Sequence, residues 1–136
     1  VILDLAAVCL LRDRSCLNVR KAGTDHVILP GGKIEAGETP VRAAIREASE
    51  EVRLDLDPDA LDYLGTFDAA AANDDADGIR CAVFVRGWDE SWPHPTPDHE
   101  IVEYEWTPLD RCAGDPRQAP LLVDSVIPAL RNRGLI

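Results

Sequence analysis

The sequence predicts an α/β fold, a sandwich in which a mixed sheet lies between helices, and three observations carry that prediction. Short apolar runs of strand length recur along the chain, several are joined by connections too tight for a crossover, and stretches with helical spacing of apolar residues are interspersed among them. With 136 residues, 46% of them hydrophobic, the chain can bury one core but not two, so residues 1–136 are expected to form a single domain.

The elements follow in order. Leu3–Leu11 is rich in Val, Leu and Ala, and Cys16–Val19 is a second apolar piece beyond the turn-like Arg12-Asp13-Arg14-Ser15, so the two read as a hairpin. Val27–Leu29 is a third strand. It runs into Pro30-Gly31-Gly32, whose backbone freedom predicts a loop. In the clearest helix Thr39 is a good N-cap, and Pro40 fits the first position, where its missing N–H costs nothing. Val41, Ala44, Ile45, Ala48 and Val52 then make one apolar stripe. Leu61–Phe67 and Ile79–Val85 read as strands on either side of an acidic, small-residue stretch from Ala69 to Gly78, expected as a mobile loop. Trp88–Pro97 is a second loop, stiffened by three prolines. Ile101–Trp106 is a last strand, and Leu121–Leu130 a closing helix that Pro128 should kink or restart, with Gly134 at its end.

The composition narrows the function. A formal net charge of -11 argues against a surface that tracks nucleic acid, which needs clustered Lys and Arg. A small anionic ligand remains compatible if a bound cation screens the repulsion. The four cysteines, Cys9, Cys16, Cys81 and Cys112, lack close metal-ligand spacing, and Cys9 and Cys81 sit in apolar runs. They read as buried, reduced thiols, which suggests a reducing compartment such as the cytoplasm. The opening run VILDLAAVCLL is broken by Asp4 and lacks a basic leader, so it reads as a strand and not as a signal peptide or membrane span. The chain begins at Val1 and contains no Met, which points to a trimmed start.

The chemistry concentrates on the Thr39–Val52 helix. Glu47, Glu50 and Glu51 are spaced so that their carboxylates leave neighbouring points of one flank, where they repel one another. Taken alone, the trio is equally well a solvated charged face. Its neighbour is a Gly-rich turn, however, and a cluster of carboxylate oxygens suits a hard cation such as Mg²⁺, which would relieve the repulsion.

Gly32, five residues, Glu38, seven residues and then Arg46-Glu47-Ala48-Ser49-Glu50-Glu51-Val52-Arg53-Leu54 closely resembles the signature box of the Nudix hydrolases, and Pro30–Pro40 (PGGKIEAGETP) looks like the MutT-like branch that sanitises oxidised nucleoside triphosphates. The resemblance covers Gly32–Leu54 and implies a Nudix-type α/β/α sandwich. It further implies Glu47, Glu50 and Glu51 as ligands of Mg²⁺, with Mn²⁺ as an alternative, the Gly31 carbonyl as a further ligand, and Glu47 as a candidate base. Arg46 would steady a neighbouring carboxylate. Glu38 would fasten the loop to the helix, and Gly32 and Lys33 would face the substrate. The implied reaction is attack of water on a phosphorus of a nucleoside diphosphate linked to another group.

Two positions depart from the box. Arg53 stands where the family has Gly, and a left-handed non-Gly residue costs on the order of 1 kcal/mol. Ala48 replaces a bulkier aliphatic, which predicts a lighter helix contact. Outside the box, Arg20 and Lys21 match a basic pair that in similar enzymes reaches substrate phosphates, and equally fit two solvated charges. Glu100 and Glu103 lie where some family members place a further acid, yet the alternation along Ile101–Trp106 lets such residues face water. Trp88 and Trp92 could stack on a base, although packing of their own loop is the commoner use. Trp106 reads as core. His26, His94 and His99 are too scattered for a site, and Asn73, Asp74 and Asp75 are at most a substrate-side turn.

The resemblance leaves the substrate open. Similar enzymes acting on ADP-ribose often have a proline some fifteen residues past the box, and those acting on diadenosine polyphosphates a tyrosine slightly farther on. This chain has no Pro between Pro58 and Pro93 and no Tyr between Tyr63 and Tyr104. By elimination a nucleoside triphosphate leads. ADP-ribose, nucleotide sugars and a non-catalytic nucleotide-binding module are the alternatives, and the oligomeric state is open, a homodimer included.

Overall fold

A computed structural model describes residues 1–72 and 76–136. Asn73, Asp74 and Asp75, together with the centre of the expected mobile loop, lie outside the described residues. Among the described residues seven strands make one mixed sheet: β1 (Ile2–Arg12), β2 (Ser15–Lys21), β3 (Val27–Ile28), β4 (Gly31–Lys33), β5 (Asp62–Ala69), β6 (Gly78–Gly87) and β7 (Ile101–Pro108). The main path runs β3-β2-β1-β6-β5, with β4 against β1 and β7 against β2. β1 and β6 run parallel from Ile2↔Gly78 to Leu11↔Gly87, and the other strand pairs are antiparallel. The predicted class is therefore the observed one.

The hairpin exists only at its tip. Leu11↔Cys16 and Arg12↔Ser15 pair across Asp13 and Arg14, which both take positive φ, as a two-residue hairpin turn of matching twist requires. Below the tip the strands part, β1 joining β6 and β4 while β2 joins β7 and β3.

The predicted loop at Pro30–Gly32 is a correction. Gly31–Lys33 is a strand, paired with Leu5, Ala6 and Ala7 of β1. A Cβ on Gly31 would lie 2.4 Å from the Ala6 carbonyl oxygen and 2.7 Å from Ala7 Cα. The glycine is there for close backbone approach, and backbone freedom is not what it supplies.

Both faces of β1 are apolar because both are covered. Even-numbered Val8 and Leu10 pack with Leu17, Val19, Ala48 and Val52 under helix α1 (Pro40–Val52). Odd-numbered Ala7 and Cys9 pack with Cys81, Val83, Leu122, Val126 and Leu130 on the opposite face. This is the three-layer sandwich.

The closing helix restarts beside Pro128 as expected, though its first part is not α-helical. Leu121–Val126 is π-helical, with the Ile127 N–H reaching back to the Leu122 carbonyl, and α-helix resumes only in α2 (Ile127–Asn132). Pro128 has no N–H to continue the earlier register, so the bonding pattern changes where it enters. On the far side of the sheet Trp88 meets Trp92 and Trp106 edge-on at 5.0 and 5.1 Å, and Arg86 lies over Trp92. The three tryptophans pack against the α1 core, Trp106 only partly buried, and none lines the cavity described next.

Candidate active site

Thr39 caps α1 through its Oγ1, a long acceptor at 3.4 Å from the Arg42 N–H, and Pro40 starts the first turn. Ala43, Ala44, Ala48 and Val52 are buried and hold the helix against the sheet. This packing aims the acidic flank at β4. Glu51 is 1% exposed, and its Oε1 accepts the Gly31 N–H at 2.9 Å. Its Oε2 is buried and has no hydrogen-bond partner among the described residues. Burial pushes the Glu51 carboxyl up to about 8, the Gly31 N–H opposing and the nearby Glu47 adding to the rise. Glu47 is raised as well, first by burial, with Arg46 opposing. A Cβ on Gly32 would lie 2.5 Å from Glu47 Oε1, so β4 leaves room for that carboxylate by having no side chain there.

Arg46 is the hub. Its Nε and Nη2 donate to the two oxygens of Glu38 at 2.7 and 3.0 Å, Nη1 donates to Glu47 Oε1 at 2.9 Å and to Glu50 Oε2 at 3.4 Å, and Nη2 also reaches the Lys33 carbonyl. Glu35 is a fourth carboxylate within 3.7 Å. These bonds hold the Glu38 carboxyl down at about 2, the Arg46 guanidinium first and the Glu35 N–H second, and raise the affinity of Arg46 for its proton. Glu38 in turn closes the turn before α1 by exchanging hydrogen bonds with the Glu35 backbone. Among the described residues no three His, Cys, Asp or Glu side chains already converge as a cation cage. Glu47 and Glu50 each lean on Arg46 through one oxygen, and Glu51 keeps a buried oxygen unpaired among the described residues. That orphaned acceptor, the side-chain-free strand beside Glu47 and an all-oxygen donor set fit a hard divalent cation.

The acidic flank borders a cavity of about 320 Å³. Lys21, Gly31, Gly32, Lys33, Glu47 and Glu100 form its polar rim, and Leu5, Ala7, Leu29, Ile79, Cys81, Leu121 and Leu122 are among its apolar walls. The structure separates the two basic candidates. Lys21 lines the cavity 3.4 Å from Glu100, whereas Arg20 is absent from its lining and is tied to Glu103 at 2.7 Å and to the Thr24 carbonyl. Alternation along β2, disturbed by a bulge between the two residues, explains the split. Arg20 and Glu103 thus pair with each other, and neither lines this cavity.

Two features escaped the sequence reading. The apolar cavity walls read there simply as strand and helix core. Asn18, 0% exposed, joins Thr107 and Gln118 in a buried polar group, and the only signal was one amide inside the apolar run Cys16–Val19. The four cysteines are free and buried, and among the described residues no helix is long and apolar enough to cross a membrane.

A mixed sheet between helices, with a glycine strand facing an acidic helix flank, is the architecture that comparison with known proteins returns. The NUDIX domain model matches residues 3–125, and the chain belongs to that family, as a hydrolase of nucleoside diphosphate derivatives. It is similar in structure to the MutT protein from Methanosarcina mazei Go1, with a TM-score of 0.78 at 18% identity, covering 97% of this chain and 95% of that one. The NUDIX domain of Shewanella oneidensis NrtR, complexed with ADP ribose, superimposes with a TM-score of 0.74 at 17% identity, covering 98% of this chain and 88% of that one. A bifunctional NMN adenylyltransferase/ADP ribose pyrophosphatase from Francisella tularensis, complexed with AMP and a Mn ion, gives 0.74 at 19% identity over 98% of this chain and 42% of that one. No curated protein matches the chain.

Proposed function

We propose that the protein hydrolyses a nucleoside triphosphate to a monophosphate and pyrophosphate, with Glu47, Glu50, Glu51 and the Gly31 carbonyl holding Mg²⁺ or, in its place, Mn²⁺. The observation that carries this is Glu51: a buried carboxylate oxygen with no partner, beside Glu47 at the mouth of the cavity. A divalent cation bound there supplies positive charge against the diphosphate and makes the attacking water more acidic.

The protein's own groups do the rest. Lys21 and Lys33, on the cavity rim, attract the phosphate chain into an otherwise acidic molecule. The apolar walls take the nucleoside and exclude water from it. Glu47 accepts the proton of the attacking water at Oε2, the oxygen that Arg46 does not engage; its raised proton affinity moves it towards the range in which a general base works best. Water adds to the α or the β phosphorus, and the α–β anhydride P–O bond breaks with its electron pair leaving on the departing pyrophosphate or nucleoside monophosphate, respectively. Arg46 steadies Glu47 and Glu50 throughout while Glu38 anchors Arg46.

ADP-ribose and nucleotide sugars form the second reading, favoured by the ADP ribose bound in the Shewanella domain. A magnesium-supplemented panel of nucleoside triphosphates, ADP-ribose, nucleotide sugars and dinucleoside polyphosphates with product analysis separates these, and turnover of none by folded protein would leave only a nucleotide-binding module. The Glu50→Gln, Glu51→Gln pair should lower kcat at least about 100-fold on the best substrate while the circular dichroism spectrum stays unchanged. Near-normal rates would remove the metal assignment.

A further inference from the structure

On the face of the sheet opposite α1, six side chains close a ring of hydrogen bonds. Asn18 Nδ2 donates to Thr107 Oγ1 at 2.8 Å and to Gln118 Oε1 at 3.1 Å, using both of its hydrogens. Thr107 Oγ1 donates to Glu105 Oε2, and Arg117 bridges Glu105 and Asp115 through its two Nη atoms. Gln118 Nε2 closes the circuit on Asp115. The ring runs from exposed Arg117 to Asn18, which is fully buried and whose Oδ1 has no partner among the described residues.

Such a group is costly inside a core, and an apolar residue at position 18 would avoid the cost. Its position relative to the cavity is what makes it informative. Residues 117 and 118 add to β3, the Val27 N–H donating to the Arg117 carbonyl and Val27 bridging Gln118 in parallel. The chain then passes into Ala119, Leu121 and Leu122, one wall of the cavity, while Ile28 and Leu29 of the segment it joins form the adjoining wall. The wall enters a π-helical stretch with no side-chain cap of its own.

We propose that Asn18 and Gln118 are positioning residues that clamp the 119–122 wall at one distance from the sheet, and so determine which non-phosphate group of the substrate fits. The inference rests on the cavity being the substrate's seat. Asn18 touches no substrate itself. It acts through the wall, and because the ring is closed, breaking either Asn18 or Gln118 opens the same clamp.

The test uses Asn18→Leu, Gln118→Leu and the double variant. On dGTP and ADP-ribose each single variant should raise KM for the better probe about tenfold with kcat within about threefold, bring the two kcat/KM values closer together, and leave little for the second substitution to add. Thr107→Ser, which keeps the hydroxyl, should behave as wild type. Should Asn18→Leu not fold, Gln118→Leu removes the Asn18–Gln118 link from the other side and carries the same expectation alone. Hydrogen exchange separates this inference from the hydrolase reading: AMP should protect residues 117–123 in the wild type and fail to in the variants, whether or not any probe is turned over. Additive effects, an unchanged preference between the probes, or AMP protection that is absent from the wild type or equal in all variants would overturn it.

Discussion

Two polar networks sit on opposite faces of the sheet, and they are balanced in opposite ways. Around Arg46 one guanidinium faces Glu35, Glu38, Glu47 and Glu50, with Glu51 buried close by. Around Asn18 the charges nearly cancel, one Arg117 against Glu105 and Asp115, and the hydrogen bonds close on themselves. The first is short of positive charge and the second is complete but for one oxygen. A network in charge deficit is poised to take up a cation, whereas a closed one is suited to holding a shape. The networks should therefore respond differently to pH, to metal and to substitution.

The largest difference should be in pH. Glu51 prefers its proton in the native state, up to about 8 against an ordinary 4.5, so between those values the folded protein binds more protons than the unfolded chain. Stability of chelator-treated protein must then fall as pH rises through that window, by about 5 kcal/mol as an upper bound. Thermal melts in EDTA should show Tm declining from pH 5 to pH 8.5. Glu51→Gln, which keeps the acceptor for the Gly31 N–H, should flatten the profile, and Mg²⁺ should restore the wild-type Tm at pH 8 but not that of the variant. A flat wild-type profile in EDTA would show that the buried oxygen has a partner after all.

Arg46 ranks next. Arg46→Met leaves Glu38, Glu47 and Glu50 without their shared donor and should cost about 1–3 kcal/mol without metal. Added Mg²⁺ should raise Tm more in this variant than in the wild type, because it then meets the whole charge deficit. Equal Mg²⁺ shifts would mean that the arginine and the cation serve different carboxylates. The corresponding cut in the closed ring, Arg117→Met, should leave the Mg²⁺ shift at its wild-type size.

How far each network could be read in advance follows from how local it is. Glu47, Glu50 and Glu51 lie on one helix and share its period, and Gly31 and Gly32 lie close to it in sequence, so their placement on one flank was legible. Chain order says nothing about Glu51 being sealed under the sheet while Glu50 is half open; that depends on what α1 packs against. Lys21 and Arg20 show the same limit more sharply, because a single bulge decides which of the two adjacent cations reaches the cavity. The Asn18 ring was illegible because its members come from β2, β7 and the segment before the π-helical turn, separated by 89 and 100 residues at its two central bonds. The short strand β4 was mistaken for a loop because two adjacent glycines signal flexibility and close approach alike, and only the partner strand tells them apart.

The smallest effect belongs to Arg53, which ends α1 with φ 58 and ψ 40, a left-handed conformation that favours Gly. Its N–H returns to the Ser49 carbonyl and that of Leu54 to Ala48, and Leu54 is buried just beyond, so the left-handed turn is formed without the glycine. The cost of the conformation, on the order of 1 kcal/mol, is set against the Arg53 Nε bond to Asp98 at 2.8 Å. That pair is largely exposed and screened by solvent, so it offsets only part of the strain. Asp98 belongs to a loop that already donates its own N–H and that of Thr96 to the Glu51 and Val52 carbonyls, so the ion pair reinforces a contact the backbone makes anyway. Arg53→Gly alone should then raise Tm by a degree or two at most, while in an Asp98→Asn background, where the offsetting bond is already gone, the same change should recover the full strain. A gain no larger in that background than in the wild type would place the strain outside the cap.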